Sequence, residues 1–293
     1  MIKILTVVGA RPQIIKASAI SRVISTNYAS QIEELIIHTG QHYDENMSAV
    51  FFDELGIPKP WSNLKVGSSS HATQTAQIMQ GIEDIILTEQ PDGILIYGDT
   101  NSTIAAALAA SKIHLPVIHV EAGLRSFNKA MPEEVNRILS DHVSTLLFCP
   151  TKTAVDNLKQ EGFDLSTKHK ATVDKPSVYH CGDIMYDNSL YFSSVSSSKS
   201  KILDTLNLIP EQFILVTIHR NANTDVPKNL TAIFDALLAI QQKTKLKLVL
   251  PLHPRTQKMM DQVLDKSTLA KIQQNDQVLI VPPAGFIDII SLE

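Results

Sequence analysis

Short runs of Ile, Leu and Val alternate along this chain with segments of helical period, and no other feature restricts its fold as much. Ile2–Val8 reads as a buried strand, and the stretch from Gln13 to Ile24 as the helix that follows. Glu34–His38 is a second short strand. Thr73–Leu87 sets Ile78, Ile82, Ile85 and Ile86 on one helical face, and Pro91 ends it. Asn101–Lys112 is an alanine-rich helix between apolar runs at Ile94–Tyr97 and Pro116–Val120. Pro132–Val143 adds a helix and Thr145–Cys149 a strand. Strands alternating with helices build a doubly wound parallel sheet, so the fold class is α/β.

The rhythm breaks in the middle and then resumes. Asp164–Ser177 is polar and Lys-rich, and Ser193–Ser200 is mostly serine, so both read as loop and linker. Beyond them Phe213–Thr217, Lys247–Leu252 and Val278–Val281 read as strands. Lys228–Gln242, Thr256–Leu264 and Phe286–Leu292 read as helices. A length of 293 residues suits two domains of roughly 100–200 residues. The expected division is an N-terminal domain over 1–190 and a C-terminal one over 200–293. The second holds about three strands, fewer than the roughly five to six of a mean sheet, so it is expected to be incomplete.

Composition removes several function classes. A net charge of −4 and no basic stripe argue against nucleic acid. Cys149 and Cys181 lack metal or redox spacing, and the ten histidines show no zinc pattern. No stretch approaches the roughly 20 apolar residues of a membrane span. The expectation is a soluble cytoplasmic protein without a metal.

The chemistry-bearing residues sit just past strand ends, where the ligand crevice of a parallel sheet lies. Gly9-Ala10-Arg11-Pro12-Gln13-Ile14-Ile15-Lys16 joins the first strand to the first helix. A helix N-terminus with Arg11 and Lys16 suits a diphosphate, although an ordinary turn with surface cations explains the same residues. The pattern is neither a dinucleotide fingerprint nor a Walker A loop. Asp99 follows Ile94–Tyr97 and precedes a helix whose dipole favours a charged carboxylate; it is a base or charge stabiliser, or simply an N-cap. Glu121 follows Pro116–Val120 and is flanked by Ala122-Gly123, a partly desolvated setting for proton transfer. Its structural alternative is an ion pair with Arg125. Glu133 and Glu134 follow Pro132, where first-turn acids complement the dipole in any helix. Gln41, His42, His219-Arg220 and His253-Pro254-Arg255 lie after other strands and are candidate ligand contacts or structural residues.

Together these segments resemble the non-hydrolysing UDP-N-acetylglucosamine 2-epimerase family. The matching stretches are Val8–Lys16, His38–His42, Tyr97–Thr103, His119–Asn128, Met131–Arg137 and Thr217–Arg220, in the family's order. The resemblance implies a GT-B-like arrangement of two Rossmann-like domains with a central cleft, a homodimer, and no metal or nicotinamide cofactor. It implies elimination of UDP across C1–C2 of a UDP-sugar and readdition with the proton on the opposite face. Asp99, Glu121 and Glu133 become the acid–base carboxylates, and His219 assists the leaving diphosphate. Arg11, Lys16 and Arg220 hold phosphate; Gln41, His42, Arg125 and His253 contact the substrate. Ala222 stands where many members have glutamate, and Tyr43 and Thr73 depart from the pattern of members with an allosteric second substrate site.

Ser126-Phe127-Asn128 and Leu252–Thr256 also resemble a branch acting on UDP-2,3-diacetamido-2,3-dideoxyglucuronic acid. A hydrolysing epimerase, a GT-B glycosyltransferase and a truncated, non-catalytic UDP-sugar-binding chain are the remaining alternatives. The family's Ser-Gly-Gly diphosphate segment falls beyond Glu293, so the 293-residue chain is expected to be weakly active or inactive.

Overall fold

The computed structural model describes residues 1–41, 52–167, 169–218 and 220–293. They divide into two compact units, Met1–Asn188 and Ser189–Glu293. The first contains β1 (Ile2–Val8), α1 (Arg11–Asn27), β2 (Ile32–His38), β3 (Ser62–Asn63), α2 (His71–Glu89) and β4 (Gly93–Tyr97). It continues with α3 (Asn101–Lys112), β5 (Val117–Val120), α4 (Pro132–His142), β6 (Leu146–Cys149), α5 (Lys152–Gln160) and β7 (Ser177–His180). A further helix, α6 (Ile184–Lys199), runs across the boundary between the units.

The first unit's strands form a seven-stranded sheet in the order β3-β2-β1-β4-β5-β6-β7. Each pair is parallel. The chain moves outward from β1 to β2 and β3, then returns to place β4 on the other side of β1. The strand order therefore reverses between β1 and β4, and the crevice at such a reversal is where open α/β sheets hold ligands.

The apolar pattern explains the layers. Leu5, Val7, Ile37, Ile94, Ile96 and Val117 of the sheet pack with Ile78, Ile82 and Ile86 of α2. Each of these isoleucines contributes ~1.5–3 kcal/mol by leaving water. Ala105, Ala106, Ala107, Ala109 and Ala110 of α3 are all 0% exposed, and their small side chains let this helix lie close to the core. Ser70 caps α2 by accepting from Thr73 N, and Gln90 closes it in the left-handed conformation just before Pro91.

The second unit comprises α7 (Ile202–Thr205), β8 (Phe213–Leu215), α8 (Asn221–Thr224), α9 (Pro227–Thr244) and β9 (Lys247–Pro251). It ends with α10 (Pro254–Val263), α11 (Lys266–Gln273), β10 (Val278–Val281) and α12 (Phe286–Leu292). Its parallel sheet has the order β10-β9-β8. Leu230, Phe234, Leu238, Leu248 and Leu250 centre its core.

The serine run corrects the linker reading. Residues 193–199 are the last turns of α6, not a loop. Phe192 is 1% exposed and meets Phe286 edge-to-face with ring centroids 5.1 Å apart. The hydroxyls of Ser194, Ser196, Ser197 and Ser198 each donate to the carbonyl three residues back. Serine hydroxyls readily turn to nearby backbone groups, which makes serine a weak helix former unless packing holds the helix. Here a buried aromatic anchors the helix and the hydroxyls are used along it. Among the described residues no helix is long and apolar enough to cross a membrane.

Candidate active site

The turn after β1 is built on Gly9. A Cβ there would stand 2.1 Å from Ser102 Oγ and 2.3 Å from Thr39 Oγ1, so only glycine fits. Those two hydroxyls share a 2.9 Å hydrogen bond. Gln13, one turn into α1, locks the same corner. Its Oε1 accepts from Gly9 N at 2.9 Å and Ala10 N at 3.2 Å. Its Nε2 donates to the Tyr97 carbonyl at 2.8 Å and Thr103 Oγ1 at 3.0 Å. One buried amide thus joins the start of α1 to the end of β4. Arg11 opens α1 and is exposed.

The next turns bring two carboxylates to this corner. Glu121 leaves β5 with φ +72°, an uncommon conformation for a residue with a side chain. The Phe148 carbonyl holds it there by accepting from both Glu121 N and Ala122 N, each at 3.0 Å. Glu121 Oε2 pairs with Lys16 Nζ, and the two side chains are 25% and 13% exposed. Arg125 is not the partner of Glu121. Its guanidinium donates to Asp141 Oδ2 at 2.7 Å and to Glu161 Oε1 at 2.6 Å, and only 1% of its side chain is exposed. Arg125 is thus held in a buried ion-pair network with Asp141 and Glu161.

Asp99 is not an N-cap. Thr100 caps α3 by accepting from Thr103 N, which leaves the Asp99 carboxylate to pair with Arg137 of α4. Asn136 Nδ2 donates to the Asp99 carbonyl at 3.0 Å. Arg137 also reaches Glu134 Oε2 at 3.1 Å. The neighbouring acids of α4 differ in role. Glu134, 1% exposed, accepts from Ser126 N at 2.9 Å and Phe127 N at 2.8 Å and shapes that loop. Burial opposes its charge, yet the Ser126 and Phe127 donors and Arg137 hold its carboxyl below the usual range. Glu133 is exposed on the first turn of α4.

Gln41 is also held by the scaffold. It is 8% exposed, and its Oε1 accepts from Ser102 Oγ at 2.6 Å and Ser102 N at 3.1 Å, securing the start of α3. In the second unit, Arg220 is exposed and its carbonyl accepts from Asn223 N at 2.8 Å and Thr224 N at 3.0 Å. His253 caps α10, its Nδ1 accepting from Arg255 N at 3.3 Å. His42 and His219 lie outside the described residues. Among the described residues, no group of His, Cys, Asp or Glu is arranged to hold a metal ion.

Gln13 and Arg137 are the contributors that motif reading missed. Gln13 lies inside the Gly9–Lys16 stretch, where the sequence gives it no role of its own. Arg137 sits three positions after Glu134, the spacing of a helical ion pair, and that spacing was the available signal.

These residues gather two ion-paired carboxylates and the Lys16 ammonium at the strand ends beside the reversal of the first sheet. Residues 25–293 match the family described as UDP-N-acetylglucosamine 2-epimerase. A UDP-N-acetylglucosamine 2-epimerase homolog of Methanococcus maripaludis is 46% identical, over 99% of this chain and 76% of the relative. The UDP-2,3-diacetamido-2,3-dideoxy-D-glucuronate 2-epimerase of Pseudomonas aeruginosa is also 46% identical, over 99% of this chain and 75% of its own length. The crystal structure of Methanocaldococcus jannaschii UDP-GlcNAc 2-epimerase, in complex with UDP-GlcNAc and UDP, superposes with a TM-score of 0.80 at 36% identity, covering 99% of this chain and 76% of that one. The chain belongs to the UDP-N-acetylglucosamine 2-epimerase family of isomerases, with the α/β, GT-B-like fold class of its structural relatives.

Proposed function

We propose that this protein interconverts UDP-N-acetylglucosamine and UDP-N-acetylmannosamine without hydrolysis. No carbonyl flanks the sugar's C2, so its proton is not acidic enough for direct removal and return. Breaking the C1–O bond to UDP while a base takes the C2 proton gives a 2-acetamidoglucal and UDP. Readdition then delivers a proton to the opposite face of C2. This route needs proton-handling groups on two faces, positive charge at the diphosphate, and no cofactor.

The single observation that carries the reading is the Lys16–Glu121 contact at the sheet's reversal point. It holds a lysine, a residue type suited to phosphate, against a carboxylate of the type suited to proton transfer. In this reading Asp99, Glu121 and Glu133 handle protons and developing charge. Arg11 and Lys16 hold the diphosphate beside the start of α1. His219 assists the leaving group, and Arg220, His42 and His253 are further contacts. The enzyme works as a homodimer in the cytoplasm on precursors of cell-envelope polysaccharide. An apolar groove lined by Met79, Leu108, Val135 and Leu139 supports self-association.

A second reading has equal support among the relatives: the 46% identity to the diacetamido-glucuronate enzyme matches that to the N-acetylglucosamine homolog. Proton NMR in D₂O decides. Incubation with UDP-N-acetylglucosamine should give deuterium at C2 and a UDP-N-acetylmannosamine signal. Exchange only with the diacetamido-uronic sugar selects the second reading. Free N-acetylmannosamine selects a hydrolysing enzyme, and UDP release only with an acceptor selects a glycosyltransferase. UDP binding without exchange of either sugar overturns catalysis by this chain.

A further inference from the structure

Behind the crevice lies a strut that the mechanism above does not use. His119 of β5 and Asp141 of α4 are both 0% exposed and meet at 2.7 Å, Nδ1 to Oδ1. On the far side of the ring, Nε2 lies 2.8 Å from the Gly98 carbonyl oxygen. A carbonyl only accepts, so Nε2 carries hydrogen and donates. Asp141 Oδ2 accepts from Gly123 N at 3.0 Å and from Arg125 Nη1 at 2.7 Å. Asn157 Nδ2 closes the set by donating to the Gly123 carbonyl at 2.9 Å.

The two ends of this strut matter. Gly98 immediately precedes Asp99, and Gly123 is two residues past Glu121. The run Gly98–His119–Asp141–Gly123 therefore ties together the two turns that carry the crevice carboxylates. Both turns use left-handed backbone, with φ +62° at Gly98, +72° at Glu121 and +76° at Gly123. Glycine adopts these angles freely, but at Glu121 such a conformation persists only where the surroundings over-determine it. An apolar residue at 119 could fill the space, but it would leave the Gly98 carbonyl and Asp141 without this buried partner.

We infer that His119 and Asp141 are positioning residues: they set the spacing between Asp99 and Glu121 and do not touch the substrate. The inference rests on the proposal that these two carboxylates carry the chemistry. A displacement of about 1 Å in such a site can cost ~100-fold in rate.

The test uses two amides that split the ring's functions in the full 293-residue chain. His119→Gln places its amide near the position of Nε2 and keeps the donor to Gly98. His119→Asn places its amide near Nδ1 and keeps only the side facing Asp141. The expected result is a kcat for C2 exchange lowered by ~100-fold in His119→Asn, with KM and UDP affinity within about threefold. His119→Gln should recover kcat to within about tenfold of wild type. Asp141→Asn, which keeps the shape but removes the charge, should lower kcat and leave UDP affinity in place.

A readout independent of turnover accompanies these rates. The Gly98 carbonyl ¹³C resonance and the Asp99, Glu121 and Gly123 amide resonances should move in His119→Asn and return toward wild type in His119→Gln. Wild-type kcat in His119→Asn overturns the inference. So does equal loss of kcat, UDP affinity and melting temperature in both variants, which is the signature of a residue that only fills the core. If the wild-type chain exchanges neither UDP-sugar, the proposed function has failed. The NMR arm still decides the strut, because unmoved Asp99 and Glu121 resonances in His119→Asn reject it.

Discussion

Lys16 Nζ and Glu121 Oε2 meet above Gly98, where an added Cβ would stand 3.4 Å from the ammonium and 3.7 Å from the carboxylate. One lysine thus faces both the proposed base and the proposed diphosphate. In the proposed reaction, a diphosphate bound at Lys16 would change the surroundings of Glu121 as substrate arrives.

The first prediction separates those roles. Lys16→Gln should weaken UDP binding by ~10–100-fold, the value of one charged hydrogen bond of about 1.5–3 kcal/mol. Glu121→Gln should abolish C2 exchange yet bind UDP as well as wild type or severalfold better, because Lys16 no longer has a competing carboxylate. Calorimetry with UDP measures both. Equal weakening by the two substitutions would reject the shared-lysine account.

Gln13 offers a test of the scaffold. Gln13→Leu keeps bulk but removes the amide shared by Gly9, Ala10, Tyr97 and Thr103. The expected loss is ~2–4 kcal/mol, because buried backbone donors are left without their partner. For a unit of this size that lowers the melting temperature by about 5–15 °C. A change under about 1 °C would show that water replaces the amide at no cost.

Acid should loosen the network behind Arg125. The Arg125 hydrogen bond holds the Glu161 carboxyl below its ordinary value of 4.5, with burial opposing and His142 adding to the effect. A folded-state value below the unfolded one stabilises above the unfolded value and is lost as pH falls through the folded value. Glu161→Gln should therefore cost ~1–2 kcal/mol at pH 7 and less near pH 3, below the unfolded value. Urea midpoints at the two pH values measure this. An equal cost at both would show that the pair acts through packing alone.

The cysteines should differ in reactivity. Cys149 is 0% exposed, and burial, reinforced by Asp141, pushes its thiol up to about 12. Cys181 is exposed. A thiol reagent should label Cys181 in the native protein and Cys149 only after denaturation. Native labelling of Cys149, read by mass spectrometry, would show that β6 opens.

The elements of the first sheet were readable because their signals are local. Asn101–Lys112 matches its expected bounds to the residue, with a capping threonine before it and alanines along it. The serine run failed because its helix depends on a contact from Phe192 to Phe286, far along the chain. The site divided in the same way. Strand ends located Asp99 and Glu121, but partners needed the tertiary fold. Sequence spacing offered Arg125 to Glu121, whereas Glu121 takes Lys16, 105 positions away, and Arg125 takes Glu161, 36 positions away. Gln41 stood out for its place after a strand, and its buried hydrogen bonds to Ser102, 61 positions away, were not readable from that place.

The φ of +72° at Glu121 has one more consequence. Backbone preference by itself asks for glycine at that position, since a side chain there is under steric pressure. Propensity-guided redesign for thermostability would therefore count residue 121 among the positions to replace, and success by its own measure would delete the proposed base. Any engineering of this chain for robustness has to exempt Glu121 from the rule that its backbone conformation invites.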